Sequence, residues 1–235
     1  HLPLQAPADR VEKSTARYRV GYDVLRKQRF EKQKALGLVP AEMELPVYNR
    51  EFGGKRPAWE ELTDSQREQW IQDMATYAAM IEIMDDGVGQ IVEAFREKGN
   101  LENTVFLFLS DNGATLEGGY LGQLMADLSN TPYRSYKKWV YQGGTSTPFI
   151  MTFGNTGKNV LKGQVCKQVA HIIDLLPTCM DLASASYPSD RFDHADLPGT
   201  SLHPAVRGGA LQNRTLFFEH QSSCAVIADN WKLVR

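Results

Sequence analysis

The chain has 235 residues, 42% of them hydrophobic and 23% charged, and its 26 basic against 28 acidic residues leave a net charge of -2. That composition supplies a sizeable apolar core and excludes an intrinsically disordered chain, and the lack of basic excess argues against nucleic acid as a partner. The longest apolar runs are about five residues against the ~20 of a membrane-spanning helix, and Cys166, Cys179 and Cys224 form no C-x-x-C pair for a disulfide scaffold or zinc site.

Residues 1–60 are polar and rich in Pro, Lys, Arg and Glu. Within them, Ser14 to Leu36 spaces its apolar residues as a helix does. Pro40, Pro46, Gly53, Gly54 and Pro57 mark a long loop. Ser65-Gln66-Arg67-Glu68 reads as a capping box, and an apolar stripe from Trp70 to Phe95 predicts a helix of about eight turns ending at Gly99. Gly87 and Gly89 inside it each cost about 1 kcal/mol relative to Ala, which predicts close packing against a neighbour. Val105–Leu109 and Pro148–Phe153 are short unbroken apolar runs of the kind found in strands buried on both faces. Helix, strand, long loop and strand together predict an α/β fold with a mainly parallel sheet flanked by helices.

Asp174 then predicts the cap of a helix with Pro177 in its first turn, running to about Ala185. Residues 186–213 read as loop. Leu216–His220, Ala225–Ala228 and Trp231–Val234 read as strands, with Asp229-Asn230 as a hairpin turn. The division is residues 1–212 in the α/β domain and 213–235 in the first strands of a small antiparallel subdomain. The chain begins at His1 without Met or a signal peptide and ends in a strand. A piece of a longer protein is the expectation.

Chemistry is expected beyond the carboxyl ends of the strands. Ser110-Asp111-Asn112-Gly113 follows the first strand and sets a carboxylate beside an amide oxygen, a pairing that suits a hard cation and is also common in turns. Lys137, in the run that leads to Gln142-Gly143-Gly144, could hold an oxyanion as a point charge. His1, His171, His194, His203 and His220 form no H-x-x-x-H or H-E-x-x-H pair. Asp85-Asp86 reads as helix-surface charge, and Asn213-Arg214-Thr215 fits a glycosylation sequon.

The ordered set of these segments resembles the sulfatase family, in its arylsulfatase-like branch. The match runs from His1-Leu2-Pro3-Leu4-Gln5-Ala6-Pro7 through Leu109-Ser110-Asp111-Asn112-Gly113 and Asn130-Thr131-Pro132-Tyr133-Arg134. It continues through Tyr136-Lys137-Lys138-Trp139-Val140-Tyr141-Gln142-Gly143-Gly144 and Ile173-Asp174-Leu175-Leu176-Pro177-Thr178. Phe218-Glu219-His220 and Trp231-Lys232-Leu233-Val234 complete it.

The resemblance implies an alkaline-phosphatase-like α/β fold and hydrolysis of sulfate esters. It implies that Asp111 and Asn112 are two ligands of a divalent cation, Ca2+ or alternatively Mg2+. Lys137 would contact the sulfate oxygens, His1 would bind the ester near its leaving oxygen, and His220 is a candidate for the leaving-group pocket. Gln142 departs from the Glu more usual before the Gly-Gly. The family's nucleophile is a formylglycine made in a Cys/Ser-x-Pro-x-Arg motif, and no such motif occurs in this chain. It is expected in the remainder of the polypeptide before His1, so that these residues alone would not turn over an ester. A periplasmic, secreted or lysosomal location is what the family implies. The alternatives are a noncatalytic binding module that has lost its nucleophile, and a phosphatase or phosphonate hydrolase of the same superfamily.

Overall fold

Gly21 sets the first turn of the fold. In the computed structural model, which describes residues 2–47, 57–117, 120–154, 160–187 and 198–235, the single helix expected over Ser14–Leu36 is two. They are α1 (Ala8–Tyr18) and α2 (Tyr22–Ala35). Gly21 between them has φ +86°, and a Cβ built there would lie 2.7 Å from the Trp59 ring. Glycine alone tolerates both the left-handed backbone and the adjacent ring. The break swings Tyr22 edge-on to Trp59 and Trp70, each 5.6 Å away between ring centroids.

The long helix is α3 (Asp64–Glu97). It starts earlier than the expected box at Ser65. Thr63 Oγ1 accepts from the Gln66 N–H at 3.2 Å, and Gln66 Oε1 accepts from the Thr63 N–H at 2.9 Å. The S/T-x-x-E/Q pattern occurs twice here, and the earlier copy also sets Asp64 at the positive end of the helix. At the other end Gly99 has φ +70°. Its N–H reaches Arg96 O at 3.0 Å and that of Asn100 reaches Phe95 O at 2.9 Å, a Schellman stop.

The core lies on the first half of α3. Trp70, Ile71, Met74, Ala75 and Ala79 pack with Val11 and Tyr18 of α1 and with Leu124 and Leu128 of α4 (Tyr120–Ser129). Past Ala79 the stripe is open: Ile81, Met84 and Ile91 are exposed. The packing expected at Gly87 and Gly89 is not found, since no atom of the described residues lies within 4 Å of a Cβ at either. Asp86 is an exposed surface charge, as expected, and pairs with Arg10 at 2.8 Å. α2 is tied to the end of α4 by polar bonds. Arg29 Nη1 donates to Leu128 O at 2.6 Å and Gln33 Nε2 to Thr131 O at 2.8 Å, placing a cation at the negative end of α4.

Strands β1 (Val105–Leu109) and β2 (Phe149–Phe153) pair antiparallel, with Val105 opposite Phe153 and Leu109 opposite Phe149. The parallel relation expected for this pair is therefore corrected. The connection between them begins and ends at the same edge, where a parallel pair needs a crossover to the opposite one. Neither strand is buried on both faces among the described residues, for Phe108 and Ile150 are exposed.

After β2 come α6 (Leu175–Leu182) and the single turn α7 (His203–Val206), the latter inside the stretch read as loop. Asp174 stands at the N-cap of α6, yet its side chain is spent elsewhere. The carboxylate is fully buried and takes both Arg214 guanidinium nitrogens, Nη1 donating to Oδ1 at 2.6 Å and Nη2 to Oδ2. It also accepts from the N–H groups of His171 at 2.7 Å and Thr200 at 3.0 Å. β3 (Leu216–His220), β4 (Ser223–Ala228) and β5 (Trp231–Val234) follow as the expected antiparallel sheet, in the order β3-β4-β5. Asp229 takes φ +50° in the last hairpin.

Burial alone would raise the Asp174 carboxyl, but the Arg214 guanidinium and the two N–H groups outweigh it and hold the pKa below the ordinary 3.8. A depressed carboxyl contributes stability that is complete above 3.8 and is lost as pH falls through the folded value. Urea unfolding at pH 7 is expected to show Arg214→Met less stable by about 3–5 kcal/mol, the cost of leaving a buried charge unpaired. The same series repeated toward low pH should show the gap between the two proteins closing as Asp174 protonates. A gap independent of pH would refute the ion-pair account.

Candidate functional site

The site is built where β1 ends. Leu109 leads into Ser110-Asp111-Asn112-Gly113, and Ser110 Oγ folds back to donate to Asn112 O at 2.8 Å. The Ser110 N–H donates to Pro148 O at 3.2 Å, so the ladder with β2 continues one bond past the strands. The Asp111 carboxylate is exposed and the Asn112 side chain half-buried. Neither side chain has a hydrogen-bond partner among the described residues. Two adjacent oxygen donors are left free at the sheet's rim.

A second loop, between α4 and α5 (Gln142–Thr145), carries Lys137. The Lys137 N–H donates to Ala114 O at 2.9 Å, and the Gly113 N–H donates to Gly144 O at 3.1 Å. The loop of Asp111 and Asn112 is thus bonded directly to the loop of Lys137 and to the Gly-Gly turn. Lys137 is exposed, and its ammonium has no ion pair among the described residues. Ser135 at φ +63° and Lys138 at φ +88° flank it, both left-handed and neither a glycine. Such residues cost about 1–2 kcal/mol each and are held only where surrounding contacts over-determine them.

Those contacts converge on Asn130, the residue after α4. Its Oδ1 accepts from the Ala114 N–H at 3.1 Å, and its Nδ2 donates to Ser135 O and to Gly143 O, both at 2.9 Å. One amide therefore binds the Asp111 loop, the Lys137 loop and the Gly-Gly turn. The glycines are sterically required. A Cβ at Gly113 would lie 1.8 Å from Gly143 O, and one at Gly143 would lie 1.9 Å from Ser135 O. Asn130 stood in the sequence within the segment Asn130-Thr131-Pro132-Tyr133-Arg134 that carries the family resemblance, and its hub role had no local signal.

Of the other residues singled out above, His1 and His194 lie outside the described residues. His220 is exposed at the end of β3, two residues beyond Phe218 and so on the same face of the sheet. His171 stacks at 5.3 Å on Phe218. Burial holds its pKa below the ordinary value, and its Nδ1 accepts from the Ile173 N–H at 3.2 Å, as a neutral ring does. Among the described residues no three His, Cys, Asp or Glu side chains gather as a metal cluster. Asp111 and Asn112 can therefore supply only part of the oxygen shell of a hard cation, which takes six to eight donors for Ca2+. No helix of the described residues is long and apolar enough to cross a membrane.

Comparison with known proteins gives one consistent picture. The family model described as Sulfatase matches residues 5–185. An uncharacterized sulfatase of Schizosaccharomyces pombe is 31% identical over 84% of this chain and 40% of its own length. An arylsulfatase of Klebsiella aerogenes is 29% identical over 78% of this chain and 44% of its own. The chain spans less than half the length of either relative. Among solved structures, a protein in complex with the oligosaccharide k-i-k-neocarrahexaose superposes with TM-score 0.57 at 23% identity, over 91% of this chain and 46% of that one. Another, in complex with its substrate D-glucosamine-2-N,6-O-disulfate, gives TM-score 0.54 at 19% identity over 74% and 33%. The fold is the alkaline-phosphatase-like α/β fold of these proteins, present in part.

Asn130→Asp removes both donors and sets a carboxylate against two carbonyl oxygens. Urea unfolding should show a loss of about 2–4 kcal/mol, a larger loss than for Asn130→Ala. Equal losses for the two variants would deny the amide its donor role.

Proposed function

We propose, because the chain belongs to the sulfatase family, that the protein hydrolyses sulfate esters and that this chain supplies the part of the site built on Asp111, Asn112 and Lys137. The observation that carries the reading is the direct bonding of the two loops. Two oxygen donors and an ammonium, each without a side-chain partner among the described residues, emerge from segments that share the bonds Lys137 N–H to Ala114 O and Gly113 N–H to Gly144 O.

A sulfate monoester brings one negative charge, and S–O cleavage moves charge onto the leaving oxygen. Lys137 would neutralise non-bridging oxygens as a compact point charge on a loop fixed before substrate arrives. Asp111 and Asn112 would hold a divalent cation, Ca2+ or Mg2+, whose Lewis acidity serves the same oxygens. The two donors fit such an ion as part of its shell, being adjacent oxygens without protein partners among the described residues. The role proposed for His1 is to hydrogen-bond or protonate the departing oxygen. His220 is proposed to border the leaving group, from the end of β3. The formylglycine nucleophile of the family has no fitting residue here. Cys166, Cys179 and Cys224 are all exposed free thiols outside any Cys/Ser-x-Pro-x-Arg stretch. The 235 residues alone are therefore expected not to turn over.

Hydrolysis of an aryl sulfate by the full-length gene product tests the proposal. Lys137→Ala should lower kcat/KM by about 10²–10³, the loss typical of one oxyanion-stabilising group. Asp111→Asn should weaken Ca2+ binding measured by calorimetry. Turnover of an aryl phosphate in preference to the sulfate would replace this reading by the phosphatase one.

A further inference from the structure

We propose that Lys232 is a positioning residue that clamps the Gln142–Thr145 turn to the C-terminal sheet and so sets the placement of the loops carrying Asp111, Asn112 and Lys137. Its effect on turnover rests on the sulfate-ester reading, and its effect on the loops rests on geometry alone. Lys232 stands on β5 between Trp231 and Leu233, both exposed on one face of the sheet. Strand alternation sends the lysine to the other face. There its Nζ donates to Gln142 Oε1 at 3.0 Å and to Thr145 Oγ1 at 2.8 Å. It also lies 5.3 Å from the centroid of the Phe218 ring on β3.

The two acceptors are the first and last residues of α5, so the ammonium spans the whole turn. The residues between them make the opposite set of bonds. Gly143 donates its N–H to Arg134 O at 2.8 Å and accepts from Asn130, and Gly144 O accepts from the Gly113 N–H. One turn of backbone is gripped by a lysine through its ends and bonded to both site loops through its middle. A Cβ at Gly144 would lie 1.8 Å from Trp139 O, so the turn has no slack in which to shift.

An ammonium is a costly group for this place. Its acceptors are neutral, and no carboxylate lies within ion-pair distance of it among the described residues. Burial pushes its pKa down to about 8. Desolvation without an ion pair is unfavourable unless the donors are needed, and an apolar side chain of equal length would fill the space without that cost. What lysine adds is the pair of donors.

The test separates donors from stem in the full-length gene product. Lys232→Met keeps the stem and loses the donors, whereas Lys232→Arg keeps donors. Gln142→Leu with Thr145→Val removes the acceptors and leaves the lysine. By hydrogen exchange, the amides of Gly113, Gly143 and Gly144 are expected to exchange about tenfold faster in the Met variant, with α3 core amides unchanged. The Arg variant should restore protection. The acceptor variant should match Met, and combining the two should add nothing further. The kcat for an aryl sulfate should fall in the same order. Unchanged exchange at the three glycines in the Met variant overturns the clamp, as does a Met variant that outperforms Arg. If the Met protein does not fold, the acceptor variant carries the same comparison. If exchange behaves as expected while the wild-type protein turns over no sulfate ester, the clamp stands and the sulfate-ester reading fails.

Discussion

The side-chain amide of Asn130 makes three hydrogen bonds to three backbone segments, at Ala114, Ser135 and Gly143. Both of its N–H bonds go to backbone carbonyls, and its oxygen takes a backbone N–H. Ala114 and Ser135 sit in irregular segments, and Gly143 sits in the single short turn of α5. A buried peptide group without a partner costs about 1–3 kcal/mol, so the amide makes affordable a junction of loops that secondary structure cannot. Asn130 is itself anchored, because Leu128 O near the end of α4 accepts from Arg29 and Thr131 O, just past Asn130, accepts from Gln33, both donors being on α2. The helical core is thereby linked to the candidate site through Asn130.

The antiparallel pairing of β1 and β2 explains why a junction is needed at all. The ladder sets Leu109 opposite Phe149, so the whole connection leaves and returns at one edge of the sheet. The Asp111 loop, α4, the Lys137 loop and α5 all lie in that connection. A parallel pair would have carried that connection across the sheet to the opposite end. Glycines 113, 143 and 144 let the confined backbones approach to distances that any Cβ would forbid. Tight glycine packing and the amide hub are two consequences of the same topology.

Legibility in the sequence follows the range of the interaction. Val105–Leu109, the stop at Gly99 and the three C-terminal strands were readable because apolar runs, a C′ glycine and a hairpin turn act over a few residues. The Gly21 break was not, since its reason is the ring of Trp59, far along the chain. Asp174 was readable as a helix-terminal residue, but its partner Arg214 is forty residues away and turned a cap into a buried ion pair. The strand direction failed for a similar reason. Apolar runs report burial and not polarity, and here even the burial was partial because Phe108 and Ile150 stay exposed. Asp111, Asn112 and Lys137 stood out by residue type and by family resemblance. That their loops touch was beyond the reach of spacing, and Asn130 and Lys232 carried no chemistry to mark them.

The site loops are stiff in a way that bears on how charge is used there. Lys137 lies between two left-handed residues, and neither Ser135 nor Lys138 can relax while Asn130 and the Gly-Gly turn hold the backbone. A lysine on a free loop would collapse toward the nearest carboxylate, and a solvated ion pair of that kind is worth little. Held on a strained backbone, Lys137 is exposed and, like Asp111, has no ion pair among the described residues. Opposite charges on bonded neighbouring loops that nevertheless do not pair gain nothing from each other. Under the proposed reading each would serve a third body, a cation at the carboxylate and an oxyanion at the ammonium. Preorganisation of this kind avoids reorganisation when charge develops, because the strain has been met by folding. It also makes the backbone between residues 130 and 145, more than any single charged side chain, the element on which the chemistry of this region depends.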